Sequence, residues 1–93
     1  MTTRAKRRRK TVEDITFSLL GATSKGLKVS YIAKTIDSTT RWRCSENTLG
    51  QIMKPHIYSG RIVSSLTIQG HSFWKLDDAY ILSLETAEHG MET

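Results

Sequence analysis

Two short runs of helical periodicity, followed at once by a glycine-centred pair of strands, constrain this chain more than any other feature. The first, Val29-Ser30-Tyr31-Ile32-Ala33-Lys34-Thr35-Ile36, puts Ile32, Ala33 and Ile36 on one side. Ser30 is its expected N-cap, and small Ala33 suits the crossing of a second helix. That second run, Ser45-Glu46-Asn47-Thr48-Leu49-Gly50-Gln51-Ile52-Met53, starts on a Ser45 cap and turns Leu49, Ile52 and Met53 inward. Asn47, Gln51 and Lys54 then lie on the opposite side, where Gly50 leaves the backbone uncovered. Pro55 predicts an end or kink just beyond. Helices this short do not hold in water alone, so they must pack on each other and on further elements.

The strand pair spans 61–68 and 71–76, around Gln69-Gly70. Ile62, Leu66, Trp74 and Leu76 are apolar at even positions, which predicts one buried face. A loop of Ile68-Gln69-Gly70 with Gly70 in a bulge pairs 66 with 72 and 64 with 74, keeping the even residues together. A plain two-residue turn would shift the pairing by one and split that face.

Upstream, Thr11-Val12-Glu13-Asp14 has the form of a helix start, with a Thr cap and acids in the first turn. Val12, Ile15, Leu19 and Ala22 form its stripe, and Lys25-Gly26 predicts an end near residue 24. Phe17 falls off the stripe: either this helix is buried on two sides, or Phe17 faces a partner. Leu27-Lys28-Val29 reads as a short extended piece. Downstream, Asp77 or Asp78 caps a last helix in which Tyr80, Leu84 and Ala87 share a side. The segments divide into a basic, disordered arm at 1–10, one domain at 11–89 and a frayed tail at 90–93.

Charge is distributed unevenly along these 93 residues, whose net charge is +5. The arm carries Arg4, Lys6, Arg7, Arg8, Arg9 and Lys10 without an acid, and residues 77–93 carry five acids without Lys or Arg. Between them stand eight basic and four acidic residues. Arm and domain therefore add to one positive field, which attracts polyanions. One cysteine, Cys44, permits no internal disulfide and is expected to be a small buried thiol in a reducing compartment; an intermolecular bridge is the sharper alternative. No metal site is expected, because His56, His71 and His89 lack helical i,i+4 spacing and a zinc finger needs more than one cysteine. No transmembrane run or signal-type apolar segment is present, so the expected location is the cytoplasm.

Helix, short strand, helix, helix, hairpin, helix is the order of a winged helix-turn-helix, an α+β, mostly α fold. The chain resembles the small winged-helix regulators of archaea, their viruses and plasmids. The resemblance covers about residues 7–88 and rests on Arg7-Arg8-Arg9-Lys10, the helix from Val12 to Ala22, and Gly26-Leu27-Lys28-Val29-Ser30-Tyr31-Ile32-Ala33. It continues through Asn47-Thr48-Leu49-Gly50-Gln51-Ile52-Met53, the step Gly60-Arg61-Ile62-Val63, and the helix after Leu76. Two departures stand out: the turn from Asp37 to Cys44 exceeds the usual three or four residues, and Pro55 interrupts the third helix.

What the resemblance implies is sequence-specific binding of double-stranded DNA and transcriptional regulation. Residues 45–54 would enter the major groove, with Arg43, Asn47 and Gln51 reading bases. Ser30, Lys34, Arg41, Ser45, Lys54, Gln69, His71 and Lys75 would hold backbone or wing contacts, and the arm would enter a neighbouring minor groove. Phe17, Tyr80 and Leu84 would pair two copies into a homodimer. Two other readings stand beside this one: a protein-interaction module built on the same scaffold, and RNA binding through Arg41-Trp42-Arg43. An enzyme is not expected, since no glycine-rich phosphate loop or nucleophile–base pair is recognisable. Nor does the sequence point to a cofactor or a small-molecule ligand.

Overall fold

The computed structural model describes the backbone of residues 4–92 and the side chains of residues 6–86. Its elements run α1 (Arg4–Gly21), β1 (Leu27–Lys28), α2 (Val29–Thr39), α3 (Glu46–Tyr58), β2 (Ile62–Leu66), β3 (Ser72–Leu76) and α4 (Asp78–Glu92). The fold is α+β and mostly helical, with one antiparallel sheet in the order β1-β3-β2.

The sheet has three strands, because the short extended piece expected before α2 adds to the expected hairpin. Leu27 pairs with Trp74 and Lys28 with Phe73, so the short extended piece joins the free edge of β3. The hairpin register is the expected one: Leu66 opposite Ser72, Ser64 opposite Trp74, Ile62 opposite Leu76. Thr67 makes the last ladder bond, donating its N–H to the His71 carbonyl at 2.8 Å, and Gly70 takes φ +82° in the three-residue loop. Ile62, Trp74 and Leu76 are buried, but Leu66 is 71% exposed. Its face is correct, but it lies too near the tip for the helices to cover it.

The core joins this face to three helices. Ile32, Ala33 and Ile36 come from α2, and Leu49, Ile52 and Met53 from α3, as periodicity predicted; Val29, read from the sequence as extended, is helical and joins them. On α1 the stripe is rotated from expectation: Val12, Thr16 and Leu20 are fully buried, Ile15 and Leu19 only partly, and Ala22 is exposed beyond the helix end. Thr16 fits there because its hydroxyl donates to the Val12 carbonyl at 2.8 Å. Phe17 shows that α1 is covered on two sides. Its ring meets His56 edge-on at 4.8 Å and Tyr80 at 6.2 Å, both within the chain.

Several helix ends differ from expectation. α1 begins at Arg4, so Thr11 is an interior residue and residues 4–10 belong to the helix rather than to a disordered arm. Arginine, lysine and alanine are good helix formers, and no Gly or Pro interrupts them before the core stripe begins. α1 stops at Gly21 rather than near 24. α2 is capped at Lys28, placing Ser30 in its first turn. α3 passes through Pro55 to Tyr58. The carbonyl that Pro55 leaves without a partner belongs to exposed Gln51, where water can serve it. The real stop is Gly60 at φ +84°, with Arg61 N–H bonded to the His56 carbonyl and Gly60 N–H to that of Ile57, both at 3.1 Å. α4 is capped by Asp77, whose carboxylate accepts the Tyr80 N–H, and runs from Asp78 through Glu92. It thus takes in residues 90–92 of the expected frayed tail; Thr93 and the Ala87 side chain lie outside the described residues.

Gly26 makes the β1–β3 approach possible. It holds φ +90°, and a Cβ there would lie 2.6 Å from both the Phe73 ring and the Trp74 carbonyl. Gly26→Ala should therefore destabilise the fold by at least about 2 kcal/mol, from left-handed strain plus the clash. Urea unfolding followed by circular dichroism measures it; a loss below half of that would mean β1 is dispensable.

Candidate nucleic-acid interface

Ser45 fixes the start of α3 by accepting the Thr48 N–H at 3.1 Å, and its hydroxyl also bonds the Thr48 hydroxyl at 3.0 Å. Leu49, Ile52 and Met53 lock the inner face into the core, so the roll of the helix is set. Asn47, Gln51 and Lys54 are consequently exposed together on the outer face. Gly50 has no atom within 4 Å of where a Cβ would stand, so the surface beside Gln51 is open. Lys54 Nζ lies 5.5 Å from the ring centre of exposed Tyr58, which holds the ammonium over an aromatic face.

Part of what was expected to be a free arm lies against this helix. Arg8 and Arg9 line one depression of about 250 Å³ with Asn47, Thr48, Gln51 and Ile52. Arg8 donates to the Arg43 carbonyl at 3.2 Å, tying α1 to the segment that leads into α3. Its Nε is buried without a partner. Among the described residues, no carboxylate stands within ion-pair distance of Arg7, Arg8, Arg9, Arg41 or Arg43; Glu13 meets the His56 ring and Asp78 pairs with Lys75. The arginines at this surface therefore keep their field. The Arg4 side chain lies outside the described residues.

The long turn between α2 and α3 is held by its own hydrogen bonds. Thr40 Oγ1 donates to the Ile36 carbonyl at 2.8 Å and accepts the Trp42 N–H at 3.1 Å. The Asp37 carboxylate accepts the Cys44 N–H. Arg41 and Arg43 project to solvent on either side of half-buried Trp42. Cys44 is buried; burial raises its thiol pKa, Asp37 raises it further and Arg8 opposes them, so the sulfur stays protonated at neutral pH.

The other expected contacts lie apart from this surface or have partners of their own. Lys34 is exposed and Ser30 half-buried on α2. Gln69 and His71 are exposed at the hairpin end, whereas half-buried Lys75 pairs with Asp78 at 3.5 Å. Of the expected dimer residues, Phe17 and Tyr80 pack within the chain, and Leu84 is exposed with Leu82. Sequence reasoning missed the placement of Arg8 and Arg9 beside Asn47, for which the unbroken helix-forming run was the available signal. It also missed the bracket at the far end of α3. Arg61 donates to His56 Nδ1 at 3.2 Å, which leaves the ring proton on Nε2, 3.1 Å from Glu13.

Among the described residues, no group of three His, Cys, Asp or Glu side chains could hold a metal ion, and no helix is long and apolar enough to cross a membrane. No protein-family model, curated protein or solved structure matches this chain.

Proposed function

We propose that this chain is a winged helix-turn-helix protein that binds double-stranded DNA sequence-specifically and regulates transcription. The observation that carries the reading is the outer face of α3: exposed Asn47 and Gln51 beside Arg8 and Arg9, with no acid among the described residues paired to either arginine. A helix about 10–12 Å across fits the major groove. Asn and Gln amides pair bidentately with adenine, and guanidinium groups with guanine or phosphate. Arg43 adds a base contact; Arg41, Ser45, Lys54, Lys34 and Ser30 hold the backbone; Gln69 and His71 carry the wing along it. Lys75 joins them by giving up its exchangeable surface pair with Asp78. Because residues 4–10 are helical, Arg8 and Arg9 act beside α3 in the same groove rather than in a distant minor groove.

Selection of bound duplexes from a random pool, followed by footprinting, tests the reading and reports half-site spacing. Arg7→Ala, Arg8→Ala and Arg9→Ala combined should weaken all duplexes and flatten the salt dependence by up to about 2.7 in log–log slope, at about 0.9 per phosphate contact. An unchanged slope would remove α1 from the interface. Two copies pair through α4, whose Leu82 and Leu84 are exposed, to match a twofold operator. A monomeric mass by light scattering at tens of micromolar would exclude that pairing.

One observation favours a second reading, a protein-docking module. Leu66 and Ile68 are exposed at the hairpin tip. Affinity led by that apolar surface would change little between low and high salt, whereas DNA affinity falls steeply.

A further inference from the structure

Arg41-Trp42-Arg43 does more in this fold than lead into α3. A separate cleft of about 630 Å³ opens between the first turns of α1 and the end of α2, lined by Arg7, Thr39, Thr40, Arg41 and Trp42. Its size is within the range of sites that hold small molecules. We propose that this cleft binds one unpaired nucleotide, its phosphate between the guanidiniums of Arg7 and Arg41 and its base against the indole of Trp42.

The donor inventory selects an anion. The hydroxyl protons of Thr39 and Thr40 are committed to the carbonyls of Thr35 and Ile36, at 2.7 and 2.8 Å. Among the described residues, the charged donors lining the cleft are two guanidinium groups, neither with a carboxylate in ion-pair distance, and the Trp42 indole N–H is a neutral donor beside them. Planar, multiply donating guanidiniums match phosphate oxygens. Among the described residues, Asp37 lines the adjoining hollow with Thr40, Arg41, Trp42 and Arg43, and its carboxylate is engaged by the Cys44 N–H.

The indole selects what accompanies the anion. Trp42 is half-exposed and lines the cleft, and its backbone N–H is bonded to the Thr40 hydroxyl, which fixes the main chain that carries the indole. Bases stack on aromatic side chains whatever their sequence, and arginines beside the ring hold the strand. A paired base inside a duplex cannot offer its face in this way. The ligand is therefore a nucleoside phosphate, either free or at an unpaired position of a strand.

Fluorescence titration tests the assignment, because Trp42 borders the cleft while Trp74 is buried in the core. The probes are adenosine monophosphate, inorganic phosphate, a 5′-phosphorylated single-stranded oligonucleotide and a blunt duplex. Saturable quenching by the monophosphate is expected if the nucleotide is a free one, and by the oligonucleotide if it belongs to a strand. Trp42→Phe should remove the signal, Trp42→Ala should weaken binding measured by calorimetry roughly five- to hundredfold, and Arg7→Ala or Arg41→Ala about tenfold. Circular dichroism verifies that each variant folds. Equal affinity for inorganic phosphate, a loss of duplex affinity on Trp42→Ala as large as the loss of nucleotide affinity, or no saturable response to either nucleotide probe overturns the assignment. The Asn47→Ala/Gln51→Ala variant should keep full nucleotide binding; losing it would place the ligand on α3 and overturn a separate cleft. A chain that binds nucleotide but no duplex would retain this site and refute the DNA-regulator proposal.

Discussion

Replacing Asn47 and Gln51 together by alanine is expected to erase preference among duplex sequences while leaving affinity for random duplex nearly unchanged. Both side chains stand in solvent on the outer face of α3, so their removal opens no cavity and breaks no bond within the domain. Their amides are worth about 1–3 kcal/mol each in discrimination when they meet adenine bidentately. The double variant should thus lose from tens to thousands of fold in the ratio of preferred to random duplex. General affinity comes from phosphate contacts by arginine and lysine, which the substitution leaves in place. Competition binding with the selected and a scrambled duplex reads both quantities. Equal losses on the two would mean that α3 supplies only backbone contacts.

The largest loss of stability is expected at Trp74, which is 3% exposed in the central strand of the sheet. It stands opposite Leu27 on one side and Ser64 on the other, and its ring faces the helical core. Trp74→Ala should cost about 3–5 kcal/mol. A domain of this size commonly has about 5–15 kcal/mol in total, so the variant would sit near unfolding at moderate temperature. Trp74→Phe keeps an aromatic ring and should fall between the two in urea midpoint. A loss under about 1 kcal/mol for the alanine variant would mean that the sheet is joined to the helices by something else.

Most of what was legible in the sequence was local. The Ser45 cap, the inward Leu49, Ile52 and Met53, and the 66–72 and 64–74 pairings follow from periods and turn chemistry confined to a dozen residues. The readings that failed were also local, and each was overridden by a neighbouring signal. Thr11 looks like a cap until the arginines before it continue the helix; Pro55 looks like a stop until Gly60 supplies a stronger one five residues after it. Exposure of Asn47 and Gln51 was predictable because the opposite stripe is so apolar. The company they keep was not.

Taken alone, the order of residues decided the helix faces, the hairpin register, the separation of basic from acidic ends and the polar row on α3. Each depends on side-chain period or turn geometry, which act over one or two helical turns. Only the folded chain decided that Leu27 joins Trp74, that Phe17 meets His56 and Tyr80 instead of solvent, and that Arg8 and Arg9 lie beside Gln51. These contacts join residues far apart in the chain. They follow from the angles at which packed helices cross, and no periodicity along the sequence records those angles.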